Sequence, residues 1–310
     1  MKHSFLLRIC QTICIFSFFF LLTHSALVLY YAKIGLSSWA CSVLPVLLPF
    51  IILSKFWIYY DIPQLFYHAA GKTLPHHKHA AICTAILLLG LSSGFPIGAI
   101  FVQYYYKEGI LAKKEAERFL PLCSFVSPMF LIGYVRPLTG YSGIPWYIFV
   151  FCLYLPVLFI FSKEIFFAPN TETKPSFHTS STTPLSSIRE IWLSSLEIIF
   201  TIGLYMMLFS ILFGITLHEP LLRSTFMELL LSNLEITTGI GWISKMSALS
   251  GIPRGTVMIM SIAMGGLCTL AQVYSTTIES SFSMKKYFFT KIKCALLSGG
   301  LFFLISYLFY

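Results

Sequence analysis

Charged residues are scarce in this chain of 310 residues, since Asp, Glu, Lys and Arg make up only 11% of it. A soluble domain carries about 25% charged residues, so this chain has too few to cover a water-facing surface. Its hydrophobic fraction is 57% and its mean hydropathy is +0.80. These values exclude a soluble enzyme, a disordered protein and a nucleic-acid-binding domain. They predict an integral membrane protein that contacts the lipid bilayer.

Motifs of catalysis and metal binding are also missing. The sequence contains no G-x-S-x-G, H-E-x-x-H, phosphate-loop or dinucleotide-binding pattern, so we expect neither enzymatic activity nor a cofactor. The eight cysteines form no C-x-x-C pair and lie in or beside apolar runs, which is typical of buried thiols. His76, His77 and His79 share a charged loop, but their spacing fits no defined metal site, and we expect none.

The apolar runs are continuous and about twenty residues long, which predicts an all-α, polytopic helical membrane protein with seven or eight transmembrane helices. The net charge of +9 comes from Lys and Arg scattered between these runs, where they act as topology signals rather than as a nucleic-acid site. A polar stretch rich in Ser, Thr and Pro at 169–184 divides the chain. We predict an N-terminal span at 1–33, a first membrane unit at 34–167, a linker at 168–190 and a second unit at 191–310.

Some apolar runs carry residues that interrupt helices. Pro45 and Pro49 each remove a backbone donor, so we expect a broken helix that is covered by protein or lines a cavity. The positive-inside rule favours a topology in which 36–60 and 228–246 are re-entrant. Short matches between 41–56 and 231–246, and between Gly90-Leu91 and Gly266-Leu267, indicate a duplicated unit. Many transporters are built from such repeats, with broken helices meeting at the substrate site.

Polar and helix-breaking residues inside the apolar runs mark a candidate substrate pathway. Each has a plainer interpretation: a small-residue packing seam at LSSGFPIGA, a solvated interfacial position for Glu235, and a bond to a neighbouring helix for Gln272. The charged stretch 113–118 is expected to be a solvated face. The candidate pathway comprises Pro45, Pro49, Ser92, Ser93, Gly94, Pro96, Gly98, Ser124, Ser127, Pro128, Glu235, Thr237, Thr238, Gly239 and Gln272.

Several of these motifs resemble those of the YlbJ-type sporulation integral membrane proteins, a nucleoside-recognition or gate-domain family. The similar stretches are SGFPIGA, KEGILAKKEAERFLPLCSFVSPMFLIG, GLSSWACSVLPVLLPFIILS, TIGLYMMLFSIL, LEITTGI and GGLCTLAQVYS. The chain departs from the family pattern at Ile100, where members often have Lys, and it loses a second-half His while it keeps Gln272.

The resemblance implies a role in endospore formation, in a mother-cell or forespore membrane. Together with the broken runs, it leads us to expect a multi-pass cell-membrane protein that gates or transports a small polar solute. The alternative is a non-transporting scaffold for assembly of the spore cortex or envelope. The sequence leaves open whether the chain forms a homo-oligomer or binds sporulation membrane partners.

Overall fold

The computed structural model describes residues 18–60, 78–139, 145–166, 184–219 and 224–309, together with residues 8, 11, 12, 15 and 62. Within these residues every regular element is helical, which confirms the predicted all-α class. His76, His77 and the predicted linker up to residue 183 lie outside the described residues. The last part of the predicted linker, from Pro184, is already helical.

Twelve helical elements of the described chain position the site. They are α1 (Ser25–Tyr59), α2 (Lys78–Ser93), α3 (Ile97–Lys107), α4 (Lys113–Cys123), α5 (Pro128–Phe130, continued through Leu131–Val135 to Arg136–Thr139), α6 (Trp146–Phe166), α7 (Pro184–His218), α8 (Thr225–Leu231), α9 (Ile236–Lys245), α10 (Gly251–Met264), α11 (Gly266–Thr277) and α12 (Met284–Phe309).

Six segments of the described chain are long and apolar enough to cross a membrane. They establish a multi-pass membrane protein. Two of the six are interrupted: Lys113–Thr139 at residues 124–127 and Gly251–Ser280 at Gly265. The predicted total of seven or eight spans is not confirmed. The short helices α8 and α9 do not reach the length of a span, and the re-entrant course of 228–246 stays a prediction.

The first long helix corrects the predicted break at Pro45 and Pro49. Ser25–Tyr59 is a single helix of 35 residues, about 52 Å at 1.5 Å per residue, and the chain does not reverse within it. A π-helical turn at Trp39–Val43 precedes Pro45, and the N–H of Leu44 donates to the carbonyl of Trp39. This wider turn accommodates a proline that cannot donate to the preceding turn. The re-entrant course of 36–60 is therefore not confirmed.

The same combination of a π-helical turn and a following proline occurs in α5. A π-helical turn at Leu131–Val135 precedes Pro137, and the N–H of Arg136 donates to the carbonyl of Leu131. In both helices the proline follows directly after the residue that closes the π turn. A proline inside an apolar run can therefore widen a membrane helix without ending it.

Long helices enclose the interrupted ones. α1 lies along α7, where the indole Nε1 of Trp39 donates to the carbonyl of Ile199 at 2.9 Å. α12 packs against α10 and α6. At the charged start of α4 the basic residues are exposed, as predicted, whereas Glu115 and Glu117 are buried. Glu117 accepts from Lys286 Nζ at 2.6 Å, which fastens α4 to the start of α12.

Candidate functional site

Four interruptions between helices converge in the interior of the described chain. They are residues 94–96 between α2 and α3, residues 124–127 between α4 and α5, residues 232–235 between α8 and α9, and Gly265 between α10 and α11. We call them breaks 1 to 4 in chain order. Breaks 1 and 2 pack on each other, as do breaks 3 and 4.

Breaks 1 and 2 are held together by the close approach of two backbones. A methyl group on Gly98 would lie 1.9 Å from the carbonyl oxygen of Cys123, so only glycine fits there. Gly94 has a φ of 80°, and a methyl group on it would lie 3.1 Å from Cβ of Ser127. The Ser127 hydroxyl in turn caps α5 by accepting from the N–H of Phe130 at 3.3 Å. The small residues of LSSGFPIGA thus pack closely against another backbone, and the same stretch forms break 1.

Breaks 3 and 4 are joined by backbone hydrogen bonds. The N–H groups of Leu267 and Cys268 donate to the carbonyls of Asn233 and Leu234 at 2.8 and 2.9 Å. These bonds satisfy carbonyls that the interrupted helix leaves free, as a chain buried in a membrane requires. A methyl group on Gly239 would lie 1.8 Å from the carbonyl oxygen of Ser232, so α9 folds back tightly against break 3.

Phe95 connects the two pairs. Its ring lies 3.2 Å from the position that a methyl group on Gly265 would take, so break 1 contacts break 4. The same residue lines a cavity of about 50 Å³, which we call the small cavity. Each pair of helices, together with the break that joins it, contributes residues to the wall of this cavity. A volume of this size holds a few water molecules. Its lining residues are Val43, Leu47, Gly94, Phe95, Val126, Ser127, Phe130, Ile202, Met206, Glu235, Ile236, Thr237, Thr269 and Gln272.

Glu235 is the one carboxylate on this wall, and only 1% of its surface is exposed. The solvated interfacial position weighed from sequence therefore does not apply. Glu235 caps α9: one oxygen accepts from the N–H of Thr237 at 3.0 Å, and the other accepts from the N–H of Thr238 at 2.7 Å and the hydroxyl of Thr237 at 2.5 Å. In the described part of the chain it has no basic partner, and the helix N-terminus supplies its electrostatic support.

Further hydrogen bonds brace the breaks from outside. Tyr154 donates to the carbonyl of Val126 at 2.7 Å, and Tyr134 donates to the carbonyl of Thr237 at 2.7 Å. The carbonyl of Val126 lies in break 2, outside any helix, so Tyr154 supplies a donor that lipid could not. Thr237 lies in the first turn of α9, so the bond from Tyr134 ties α5 to α9. Their hydroxyl groups thus stabilise the irregular backbone and hold its shape.

Gln272 separates the small cavity from a second one. Its Nε2 donates to the sulfur of Cys268 at 3.2 Å, a weak acceptor that leaves much of the amide free for a ligand. The second cavity, the large cavity, has a volume of about 360 Å³. Its lining residues are Lys55, Pro96, Ser194, Glu197, Ile198, Thr201, Ile202, Gln272, Ser275 and Thr276.

The sequence interpretation missed Lys291, which is 1% exposed on the buried face of α12. Its Nζ has no hydrogen-bond partner among the described residues. It lies over the rings of Phe125 and Phe95, 4.4 and 5.0 Å from their centres, and 5.8 Å from that of Tyr287. Phe95 belongs to break 1, Phe125 belongs to break 2, and Phe95 also lines the small cavity, so a cation lies directly behind the cavity wall.

The predicted pathway residues divide into three groups. Those on the wall of the small or large cavity are Gly94, Pro96, Ser127, Glu235, Thr237 and Gln272. Four others serve packing: Ser93 bonds Ser54 at 3.0 Å, Thr238 bonds Ser210 at 2.9 Å, and Gly98 and Gly239 allow the close backbone approaches.

The remaining candidates lie away from both walls. Ser92 donates to the carbonyl of Leu89 in its own helix, and the buried hydroxyl of Ser124 has no partner among the described residues. Pro128 is the first residue of α5. Pro45 and Pro49 lie in the continuous α1, whose Val43 and Leu47 face the small cavity instead.

Comparison with known proteins gives one partial match. Over 135 residues the chain is 32% identical to the sporulation integral membrane protein YlbJ of Bacillus subtilis (strain 168). The match covers 40% of this chain and 32% of that protein, so the chain matches about a third of the relative's length. No family model matches the chain, and no solved structure matches it significantly. The partial match supports the resemblance seen in the motifs.

Proposed function

We propose that this multi-pass membrane protein moves or gates a small polar solute across a membrane during endospore formation. The convergence of four helix interruptions on a cavity lined by Ser127, Glu235, Thr269 and Gln272 carries the proposal. Interrupted helices surrounding a buried polar site are the usual construction of membrane solute sites. The sporulation part of the proposal rests on the partial similarity to YlbJ.

The two cavities support a gated pathway. The large cavity, at about 360 Å³, falls in the range of small-molecule sites, whereas the small cavity, at about 50 Å³, has no room for a metabolite. Gln272 and Ile202 line both, so the two chambers meet at these residues. In the proposed pathway the large cavity is the wide part and the small cavity the narrow part, with Gln272 between them. A scaffold, by contrast, would need only a filled, apolar interior.

Uptake into proteoliposomes tests the proposed function. We expect the purified protein to admit at least one member of a panel of amino acids, nucleosides, sugars and small organic acids, above the level of protein-free vesicles. The panel includes nucleosides because the family resemblance implies nucleoside recognition. Gln272→Leu should lower that uptake by about tenfold or more, because a lost hydrogen bond to the solute costs on the order of 1.5 kcal/mol.

Ser93→Ala is the matched milder variant, because Ser93 bonds Ser54 behind break 1 and lines neither cavity. Its uptake should stay within about threefold of the wild-type rate. If no solute on the panel enters, and the gene is nevertheless required for normal spores, the scaffold explains the protein and transport is rejected.

A further inference from the structure

The large cavity carries one basic and one acidic side chain. Lys55 reaches it from α1, and Glu197 reaches it from α7. In the described part of the chain neither takes part in an ion pair within 4.0 Å. Two opposite charges therefore face the same space without neutralising each other directly.

The other polar groups of this wall are neutral. Gln272, Ser275 and Thr276 come from α11, and Ser194 and Thr201 come from α7. The Thr201 hydroxyl donates to the carbonyl of Glu197 at 2.7 Å, and that of Thr276 donates to the carbonyl of Gln272 at 3.1 Å, so their oxygens can still accept from a ligand. Within the described residues the charge on the cavity wall is thus one positive and one negative group.

Lys55 is half-buried and Glu197 is exposed, so neither charge is fully enclosed by the protein. A solute with a single charge is attracted by one of the two side chains and repelled by the other, which carries a charge of the same sign. A zwitterion pairs with both, its anionic end with Lys55 and its cationic end with Glu197. The loaded cavity then contains two paired charges of each sign and no net charge.

Resting on the proposed function, we propose that the large cavity binds a small zwitterionic solute of the free α-amino acid type. The carboxylate of the solute lies against Lys55, its ammonium group lies against Glu197, and the amide of Gln272 marks the passage to the small cavity. The volume of about 360 Å³ accommodates a molecule of this class with a few waters.

Matched derivatives of one amino acid test this assignment in proteoliposomes that contain the full chain. Radiolabelled alanine is the zwitterion, N-acetylalanine is the anion without the ammonium group, and alaninamide is the cation without the carboxylate. We expect alanine uptake to exceed that of either derivative by about tenfold or more, since each derivative leaves one wall charge unpaired. Serine and proline serve as further zwitterions.

Two variants test which side chain contacts the carboxylate of the solute and which contacts its ammonium group. Lys55→Met should remove the preference of alanine over alaninamide, and Glu197→Gln should remove its preference over N-acetylalanine. The double variant Lys55→Glu with Glu197→Lys exchanges the charges and should restore alanine uptake relative to Lys55→Glu alone. Size-exclusion profiles and thermal unfolding of each variant establish that it is folded.

The outcomes separate this inference from the proposed function. If another class of solute is taken up and neither Lys55→Met nor Glu197→Gln alters the choice among derivatives, the zwitterion site is wrong and transport stands. If alanine and its two derivatives enter at equal rates, the assignment is also wrong. If nothing on the wider panel enters, the proposed function fails, and this inference fails with it.

Discussion

Gly239→Ala is expected to prevent stable folding of the protein or to lower its free energy of unfolding by about 3 kcal/mol or more. The added methyl group would lie 1.8 Å from the carbonyl oxygen of Ser232, which is backbone and cannot rotate away. Relief would require α9 to move off break 3, which would displace the cap at Glu235 and the bonds that join breaks 3 and 4. Thermal unfolding of the detergent-solubilised protein measures the effect.

Gly300→Ala is the matched control. Gly300 also lies within a helix, α12, but a methyl group there would meet nothing within 4 Å. Alanine has the higher helix propensity by about 1 kcal/mol, so this variant should unfold at the wild-type temperature or slightly above it. Equal stability of Gly239→Ala and Gly300→Ala would show that α9 does not pack on break 3 as described.

Lys291→Met is expected to stabilise the protein by about 1–4 kcal/mol. The Lys291 ammonium is 1% exposed and has no hydrogen-bond partner among the described residues, so its desolvation is offset only by the rings of Phe95, Phe125 and Tyr287. Methionine keeps the length of the side chain and its contacts with these rings while it removes the charge. The unfolding midpoint of the variant should rise accordingly.

Lys293→Met separates this effect from a general effect of removing a lysine. Lys293 is two residues further along α12 and is exposed. Its replacement should change the free energy of unfolding by less than about 0.5 kcal/mol. A lowered midpoint for Lys291→Met, with Lys293→Met unchanged, would mean that the aromatic rings outweigh the desolvation of the charge.

Three of the four breaks were predictable from sequence because they rest on local signals. Gly and Pro in LSSGFPIGA, Ser and Pro in CSFVSP, and the polar residues of NLEITTG all interrupt apolar runs, and each of these stretches forms a break. The same kind of signal failed at Pro45 and Pro49. There a π turn supplies the space that the prolines need, and no residue type marks that turn in advance.

Lys291 was overlooked because Lys285, Lys286 and Lys293 flank it and suggest a loop. Helical spacing predicts instead that Lys291 lies on the buried face of a helix. Tyr287, Lys291 and Cys294 are four and three residues apart, and all three are buried in α12. Which breaks pair with each other depends on contacts between distant parts of the chain, and local patterns do not contain that information.

The predicted duplication stays a prediction. The two pairs of matched segments differ in how similar their structures are. The alignment of 41–56 with 231–246 pairs a continuous helix with break 3 and the short helix α9. The match of Gly90 with Gly266 lies close to two similar breaks, at Gly94 and Gly265, which have φ values of 80° and 83°. Any internal similarity of the described structure is therefore stronger around these glycines than around the proline-containing helix.

The most direct measurement of the central claim, that the four breaks line the pathway of a solute, is uptake by Glu235→Gln. Glutamine keeps an oxygen that can accept from the N–H of Thr237 or Thr238, so the cap on α9 is largely preserved while the charge on the cavity wall is lost. Glu279→Gln is the control, because Glu279 is exposed and lines neither cavity. At matched reconstitution, we predict that Glu235→Gln lowers uptake by about tenfold or more while Glu279→Gln keeps the wild-type rate. Equal uptake by the wild type and both variants would contradict a solute pathway through the breaks.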